Sequence, residues 1–219
     1  MTDQARNQGE NKSSSRKEPW DQRIARFLVR PLVHTWVTPN HLTTLRLLLG
    51  LGACALLAYG EIPLIYWGAG LFALSNFADH MDGELARLSG KTSRFGHYYD
   101  LFSDVVVHIL LFFSIGIGLM DSWFGEVAWV MGLISGISVS GLFALFQYLE
   151  TRIGKKQAGL PSFVGFETED VMYLIGPAIW VGGLIPILIA ATIGAPLFGL
   201  WALVRYRHEI FSSDKQETK

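Results

Sequence analysis

Cysteine is almost missing from the chain: among 219 residues only Cys54 occurs, inside the apolar run LLLGLGACALLAYG. No intrachain disulfide can form and no site built of several thiolates exists, so Cys54 reads as a buried structural residue. No His/Cys cluster points to zinc. Charge is scarce, at 17% of residues with a net of −1, and no nucleic-acid partner is expected. The first 35 residues are largely polar and basic, with no uninterrupted apolar stretch ahead of a small-residue cleavage site. No secretory signal peptide is therefore expected. Internal repeats and low-complexity blocks are also lacking.

What is abundant is apolar sequence in long blocks, with 50% hydrophobic residues overall. A stretch of about 20 apolar residues is needed to cross a bilayer, and the blocks approach or exceed that length. The length suits one domain. Residues 1–17 are polar and Ser-rich and are expected to be a disordered cytoplasmic tail. Trp20, Ile24, Phe27 and Leu28 then recur at helical spacing with Arg23, Arg26 and Arg30 between them. This predicts an amphipathic helix on an anionic membrane surface, ended near Pro31; a soluble helix packed on a partner is the alternative.

Six apolar segments follow, and the expected fold is all-α and polytopic, with six transmembrane helices over a domain at 18–210 and a short tail at 211–219. The first runs from about Leu42 to Tyr59, after the start signal Thr38-Pro39-Asn40. The next three cover Ile62 to about Leu85, Phe95 to Met120, and Trp123 to Tyr148. The stretch from about Glu169 to Val204 is too long for one span and is divided near Gly182. Lys and Arg cluster before the first span, in the second connection (Arg87, Lys91, Arg94), in the fourth (Arg152, Lys155, Lys156) and after the last. The turns near 60–62, 120–124 and 181–185 contain none. Alternation of this kind places both termini in the cytoplasm, of a bacterial inner or plasma membrane if the source is bacterial. Tyr59, Trp123, Tyr148 and Trp201 suit the interfacial belts.

The most informative stretch is DHMDGELARLSGKTSRFGHYYDLFSD, residues 79–104. Asp79 and Asp82 are three apart and Asp100 and Asp104 four apart, so each pair shares a helix face. If the two arms are antiparallel neighbours, all four acids converge near the cytoplasmic end. Each aspartate costs roughly 2.5–3.5 kcal/mol at a helix centre in a membrane. Divalent metal removes that difficulty, and carboxylates suit Mg²⁺ or Mn²⁺, with two ions expected. Gly83 and Gly96 would let backbone approach a flat ligand, and Ala86 leaves room one turn on. Arg87, Lys91 and Arg94 lie where a polyanion would enter. Close helix packing and inside charge are the plainer account of those residues, but they leave the four acids unexplained.

The set Asp79, Asp82, Gly83, Ala86, Arg87, Gly96, Asp100 and Asp104 resembles the signature of the CDP-alcohol phosphotransferase family, complete over 26 residues. Pro39-Asn40, Thr43 and Arg46 resemble a second feature of that family. The resemblance covers about residues 20–208 and implies an integral-membrane enzyme moving a phosphoalcohol group from a CDP-linked donor to an alcohol, with CMP released. It implies metal ligation by Asp79, Asp82, Asp100 and Asp104, with Asp104 bridging or facing the metals and serving as general base. It implies cytidine–pyrophosphate binding by Gly83, Ala86, Arg87 and Gly96, with Asn40 and Thr43 beneath, near the cytoplasmic face. A homodimer in contact with membrane lipid is implied as well.

Chain size favours the branch that uses CDP-diacylglycerol and a small polar alcohol. The alternative is a soluble CDP-choline or CDP-ethanolamine passing its group to a lipid alcohol. Val105 stands where several members accepting a phosphorylated or inositol-type alcohol carry a basic residue, which weighs against those acceptors. Arg152, Lys155 and Lys156 are candidates for an acceptor phosphate or are ordinary inside charges. Glu167, Glu169 and Asp170 are a solvated face or a contact for an amine. His80, His97 and His108 neighbour the signature and are expected to pack or hydrogen-bond between helices, and His41 to lie at the interface. A cation transporter is the rival class, because intramembrane acids also mark ion pathways. It would not require Gly-x-x-Ala-Arg beside the acids, nor a basic mouth that repels cations. A purely structural scaffold predicts little effect from changing Asp82 or Asp100.

Overall fold

The computed structural model describes residues 20–154 and 170–211. The tail at 1–17, all of 211–219 except Phe211, and Lys155, Lys156, Glu167 and Glu169 lie outside the described residues. Every regular element described is helical: α1 Trp20–Val29, a 3-10 turn Arg30–Leu32, α2 Pro39–Ala58, α3 Leu64–Ser89, α4 Arg94–Gly118, α5 Val127–Ile153, α6 Asp170–Trp180, α7 Leu184–Arg205 and α8 Arg207–Phe211.

Four of these helices, α2, α4, α5 and α7, are long and apolar enough to cross a membrane, so the chain is an integral membrane protein but the expectation of six spans is corrected to four. The two shortfalls have different causes. α3 has 26 residues, about 39 Å at 1.5 Å per residue, but Asn76, Asp79, His80, Asp82, Glu84 and Arg87 dilute it from its middle onward. α6 is apolar but has eleven described residues, about 16 Å against a hydrocarbon core of about 30 Å. Instead of standing alone, α6 is tied to α3. Tyr173 donates to the Asn76 carbonyl at 3.1 Å and pairs with His80 Nδ1 at 2.7 Å, while Asn76 Nδ2 donates to the Met172 carbonyl at 3.2 Å.

Local chemistry explains the helix ends. Thr38 is extended and precedes Pro39 at the first helical position; its N–H donates to His41 Nδ1 at 3.1 Å, reciprocating the capping bond. α1 stops before Pro31, whose ring removes a donor. Gly90 closes α3 in the left-handed conformation, φ +66°, and Ser93 opens α4 by accepting from Gly96 N–H at 2.9 Å. Gly182, at φ +85°, lies in the break between α6 and α7, where the sequence predicts the long stretch to divide.

α2 is the hub, packing against both α3 and α4, while α5 joins α4 to α7 and α1 lies on α3. Phe72, Leu57, Leu111, Ile115, Ile179 and Leu188 form the centre of the main core. Ile193, Leu197, Leu200 and Val204 of α7 remain exposed, the expected face toward lipid. On α1, Ala25 and Val29 are buried, while Ile24, Phe27 and Leu28 face outward. That outward face suits interfacial placement.

Glycines set how closely α4 and α5 approach. A Cβ on Gly132 would run into the Phe112 carbonyl, and one on Gly136 would sit 2.7 Å from the Ile109 carbonyl oxygen. Gly141, also on α5 but one position off the Gly132–Gly136 stripe, has nothing within 4 Å. Gly132→Ala is therefore expected to cost about 1–3 kcal/mol by forcing the two helices apart, and Gly141→Ala to be neutral or slightly stabilising through helix propensity. Thermal unfolding of the two variants in one detergent checks the contrast; equal melting temperatures would refute it.

Candidate active site

The two acidic arms do not pack on each other: among the described residues no Cα of α3 lies within 8 Å of one in α4. The acids converge because both arms lie on α2. Ligand-capable oxygens of Asp79, Asp82 and Asp100 all fall within 4.8 Å of one another, across the space between α3 and α4. Asp104 stands one turn further along α4 and is outside that trio.

α2 supplies each acid with a partner. Thr43 Oγ1 donates to Asp82 Oδ2 at 2.9 Å, in a contact where both residues are buried. Arg46, one turn on and 2% exposed, serves the other three. Its Nη1 pairs with Asp79 Oδ1 and with Asp100 Oδ1 at 3.1 Å, and its Nη2 reaches Asp104 Oδ1 at 2.8 Å and the Asp100 carbonyl at 3.3 Å. A planar guanidinium with five fixed donors is suited to such a junction; an ammonium is not. Ser75 Oγ of α3 donates to the Arg46 carbonyl at 2.9 Å, anchoring the same turn of α2 from behind. Arg46 is the only charged residue in α2. Its sequence signal was that isolation, since a lone intramembrane charge demands a partner.

The trio fits a divalent ion of the hard class. Three carboxylates from two helices offer oxygen donors only, as Mg²⁺ and Mn²⁺ prefer. The cluster could coordinate such an ion.

The remaining sequence-predicted residues divide into those beside the acids and those that brace the scaffold. Arg87 lies against Gly83: a Cβ there would be 3.6 Å from Arg87 Nη2. Gly96 is where α4 meets Asn40, since a Cβ would sit 2.7 Å from Asn40 Oδ1. These two small residues thus make room for side chains of this chain. Ala86 is half-buried, and its carbonyl accepts the Gly90 N–H at 3.1 Å. Lys91 Nζ donates to the Thr35 and Val37 carbonyls at 2.8 and 3.2 Å, pinning the α3–α4 turn to the segment before α2. Arg94 lines an open depression with Thr92, Ser93, His97 and Tyr98. Arg152 lies far along α5, over the Tyr148 ring and on the Glu209 carbonyl at 3.2 Å; Lys155 is outside the described residues. His80 faces Tyr173, His41 caps α2 and sits edge-on to Trp36. His108 is buried against Phe143.

Arg46→Met would remove the counter-charge of three carboxylates. It is expected to cost about 3 kcal/mol of stability in chelator, and part of the loss should return with Mg²⁺, which stabilises whatever state binds it. Melting temperatures of wild type and variant in EDTA and in Mg²⁺ check this; an equal metal response in both would count against Arg46 as the counter-cation.

Residues 36–204 match the family model described as CDP-alcohol phosphatidyltransferase. Over 90 residues the chain is 39% identical to the CDP-diacylglycerol–glycerol-3-phosphate 3-phosphatidyltransferase of Cereibacter sphaeroides, covering 40% of this chain and 41% of that protein. Over 108 residues it is 32% identical to the bifunctional IPC transferase and DIPP synthase of Aquifex aeolicus, covering 49% of this chain and 24% of that protein. The matched stretch thus spans less than half the length of either relative. The eight signature positions and the Thr43–Arg46 turn all fall inside residues 36–204, and the chain belongs to the CDP-alcohol phosphatidyltransferase family.

Proposed function

We propose that the chain is a divalent-metal-dependent transferase that moves the phosphatidyl group of CDP-diacylglycerol to the hydroxyl of a small polar alcohol and releases CMP. The observation that supports this reading is the convergence of the acids: oxygens of Asp79, Asp82 and Asp100 form one cluster, and Asp104, one turn further along α4, shares the Arg46 guanidinium with Asp79 and Asp100. The name of the Cereibacter sphaeroides relative supports the donor and makes glycerol 3-phosphate the first acceptor to try. Val105, standing where several members accepting a phosphorylated alcohol carry a basic residue, weighs against that acceptor, so small alcohols without phosphate are tried beside it.

Asp79, Asp82 and Asp100 would hold Mg²⁺ or Mn²⁺, two ions if Asp104 also takes part. When bound, the metal neutralises charge on the phosphoryl oxygens and draws electron density from phosphorus. Asp104 takes the acceptor proton; Arg46 engages its Oδ1, which leaves Oδ2 for this task. The acceptor oxygen forms its bond to the phosphorus that carries diacylglycerol as the bond from that phosphorus to the CMP oxygen breaks. The electron pair leaves on the CMP phosphate, which needs no general acid. Arg87, with an exposed side chain, and Arg94 meet the pyrophosphate, while Gly83 and Ala86 line the cytidine side. Asn40 and Thr43 brace that wall from α2. Basic residues near the acids and after the last helix support a cytoplasmic position for this site and for both termini, and the assembly carried with this reading is a homodimer.

Asp104→Asn is expected to lower turnover by about 10³-fold or more, within the range for loss of a proton acceptor, with donor binding nearly unchanged. Loss of both would refute the base assignment. The direct test is CMP release from CDP-diacylglycerol by the purified chain in Mg²⁺ or Mn²⁺, one alcohol at a time. CMP is expected with one alcohol together with a matching new phospholipid, and chelation should stop it. CMP formed only from CDP-choline or CDP-ethanolamine would overturn the donor assignment, and cation flux without CMP would overturn the enzyme reading.

A further inference from the structure

Glu84 is the least exposed acid among the described residues, at 1%, and none of the proposed chemistry uses it. It lies between Asp82 and Arg87 on α3, one turn before the arginine assigned to the donor. Its two oxygens serve two different helices. Oε1 accepts from Arg87 Nη2 at 2.7 Å, and Oε2 accepts from Arg26 Nε of α1 at 3.2 Å. The Arg87 guanidinium is thereby laid across Gly83, its Nη2, Nη1 and Cζ falling 3.6–3.9 Å from where a Cβ would be. Arg87 itself is 62% exposed along its side chain, so the donors not given to Glu84 face outward.

We propose that Glu84 is a positioning residue of the donor site, holding the Arg87 guanidinium over Gly83 and tying it through Arg26 to the amphipathic helix α1. This rests on the donor reading of Arg87 given above. Three features favour it over a plain staple between helices. The Val29, Leu42 and Leu85 cluster already joins α1, α2 and α3 with apolar contacts, so that joint does not depend on the ion pairs of Glu84. Glu84 engages only the Nη2 end of Arg87, and the exposed remainder of that guanidinium carries the sign a pyrophosphate needs. And α1 presents Ile24, Phe27 and Leu28 outward, so the helix at the lipid surface and the arginine that meets the lipid donor's headgroup share one anchor. Holding a long side chain in place in advance removes an ordering cost that binding would otherwise bear.

The competing effect is that removing Glu84 adds positive charge near the phosphates. Arg87 is largely in water, where that extra attraction is screened, so loss of orientation is the larger effect and binding weakens. The test is calorimetric binding of CDP, the nucleoside diphosphate end of the donor, to the full chain in nanodiscs with Mg²⁺ present. Glu84→Gln is expected to weaken CDP binding by about tenfold, the scale of a hydrogen bond to a charged group. Arg87→Gln should weaken it at least as much, and the double variant should bind no more weakly than Arg87→Gln alone, because the two residues act as one unit. Glu84→Asp keeps the charge but withdraws the carboxylate by one methylene. It should give an intermediate loss, and it carries the test if Glu84→Gln does not fold. CDP affinity unchanged in folded Glu84→Gln or Glu84→Asp, with Arg87→Gln weakened, overturns the role of Glu84 and leaves the donor reading intact. Additive losses in the double variant overturn it too, since a structural staple would act independently of Arg87. CDP affinity unchanged in Arg87→Gln overturns the donor reading of that arginine and this proposal with it.

Discussion

Carboxylates brought into an apolar bundle must be given a counter-charge or a donor, and that requirement organises this molecule. α2 meets it with two residues one turn apart. Thr43 serves Asp82, and Arg46 serves Asp79, Asp100 and Asp104. Because one guanidinium must reach acids on two helices, α3 and α4 are both drawn onto α2 and held off each other. The space so kept between them is where the oxygens of Asp79, Asp82 and Asp100 face one another. Direct packing of the two acidic arms would have closed it and pressed like charges together.

The same constraint explains why the span count is lower than the run of apolar segments predicts. Acids, a histidine and an arginine in the second half of α3 bring the chemistry to one end of the bundle and cost that helix its apolar character. α6 then covers α3 with a short helix held by Tyr173, His80 and Asn76. Polar bonds of this kind brace membrane helices where apolar packing lacks the push of water. Small residues complete the arrangement: backbone contact at Gly132 and Gly136 binds α4 to α5, while Gly83 and Gly96 admit Arg87 and Asn40 beside the acids.

The basic residues of the α3–α4 turn look alike in sequence and have separate places in the fold. Lys91 spends its ammonium on the carbonyls of Thr35 and Val37, Arg87 lies over Gly83 on Glu84, and Arg94 stands at the exposed start of α4. Spacing alone could not divide them. Each lies within a few residues of the others along the chain, and what separates them is which distant segment arrives beside each one.

The sequence by itself determined what local rules and pattern can carry. Thr38-Pro39 starts α2, Pro31 ends α1, glycine at 182 breaks the last apolar stretch, and the eight signature positions identify the family. Those features depend on neighbours in the chain, on backbone geometry and on fixed spacing. Tertiary structure alone decided that α2 stands against both acidic arms, that Arg46 is the counter-cation of Asp79, Asp100 and Asp104, and that Glu84 takes Arg26 of α1 as a partner. Each of those pairings joins residues tens of positions apart through side-chain atoms. Hydropathy and periodicity record how buried a residue is and which face it takes, but not which partner it finds there.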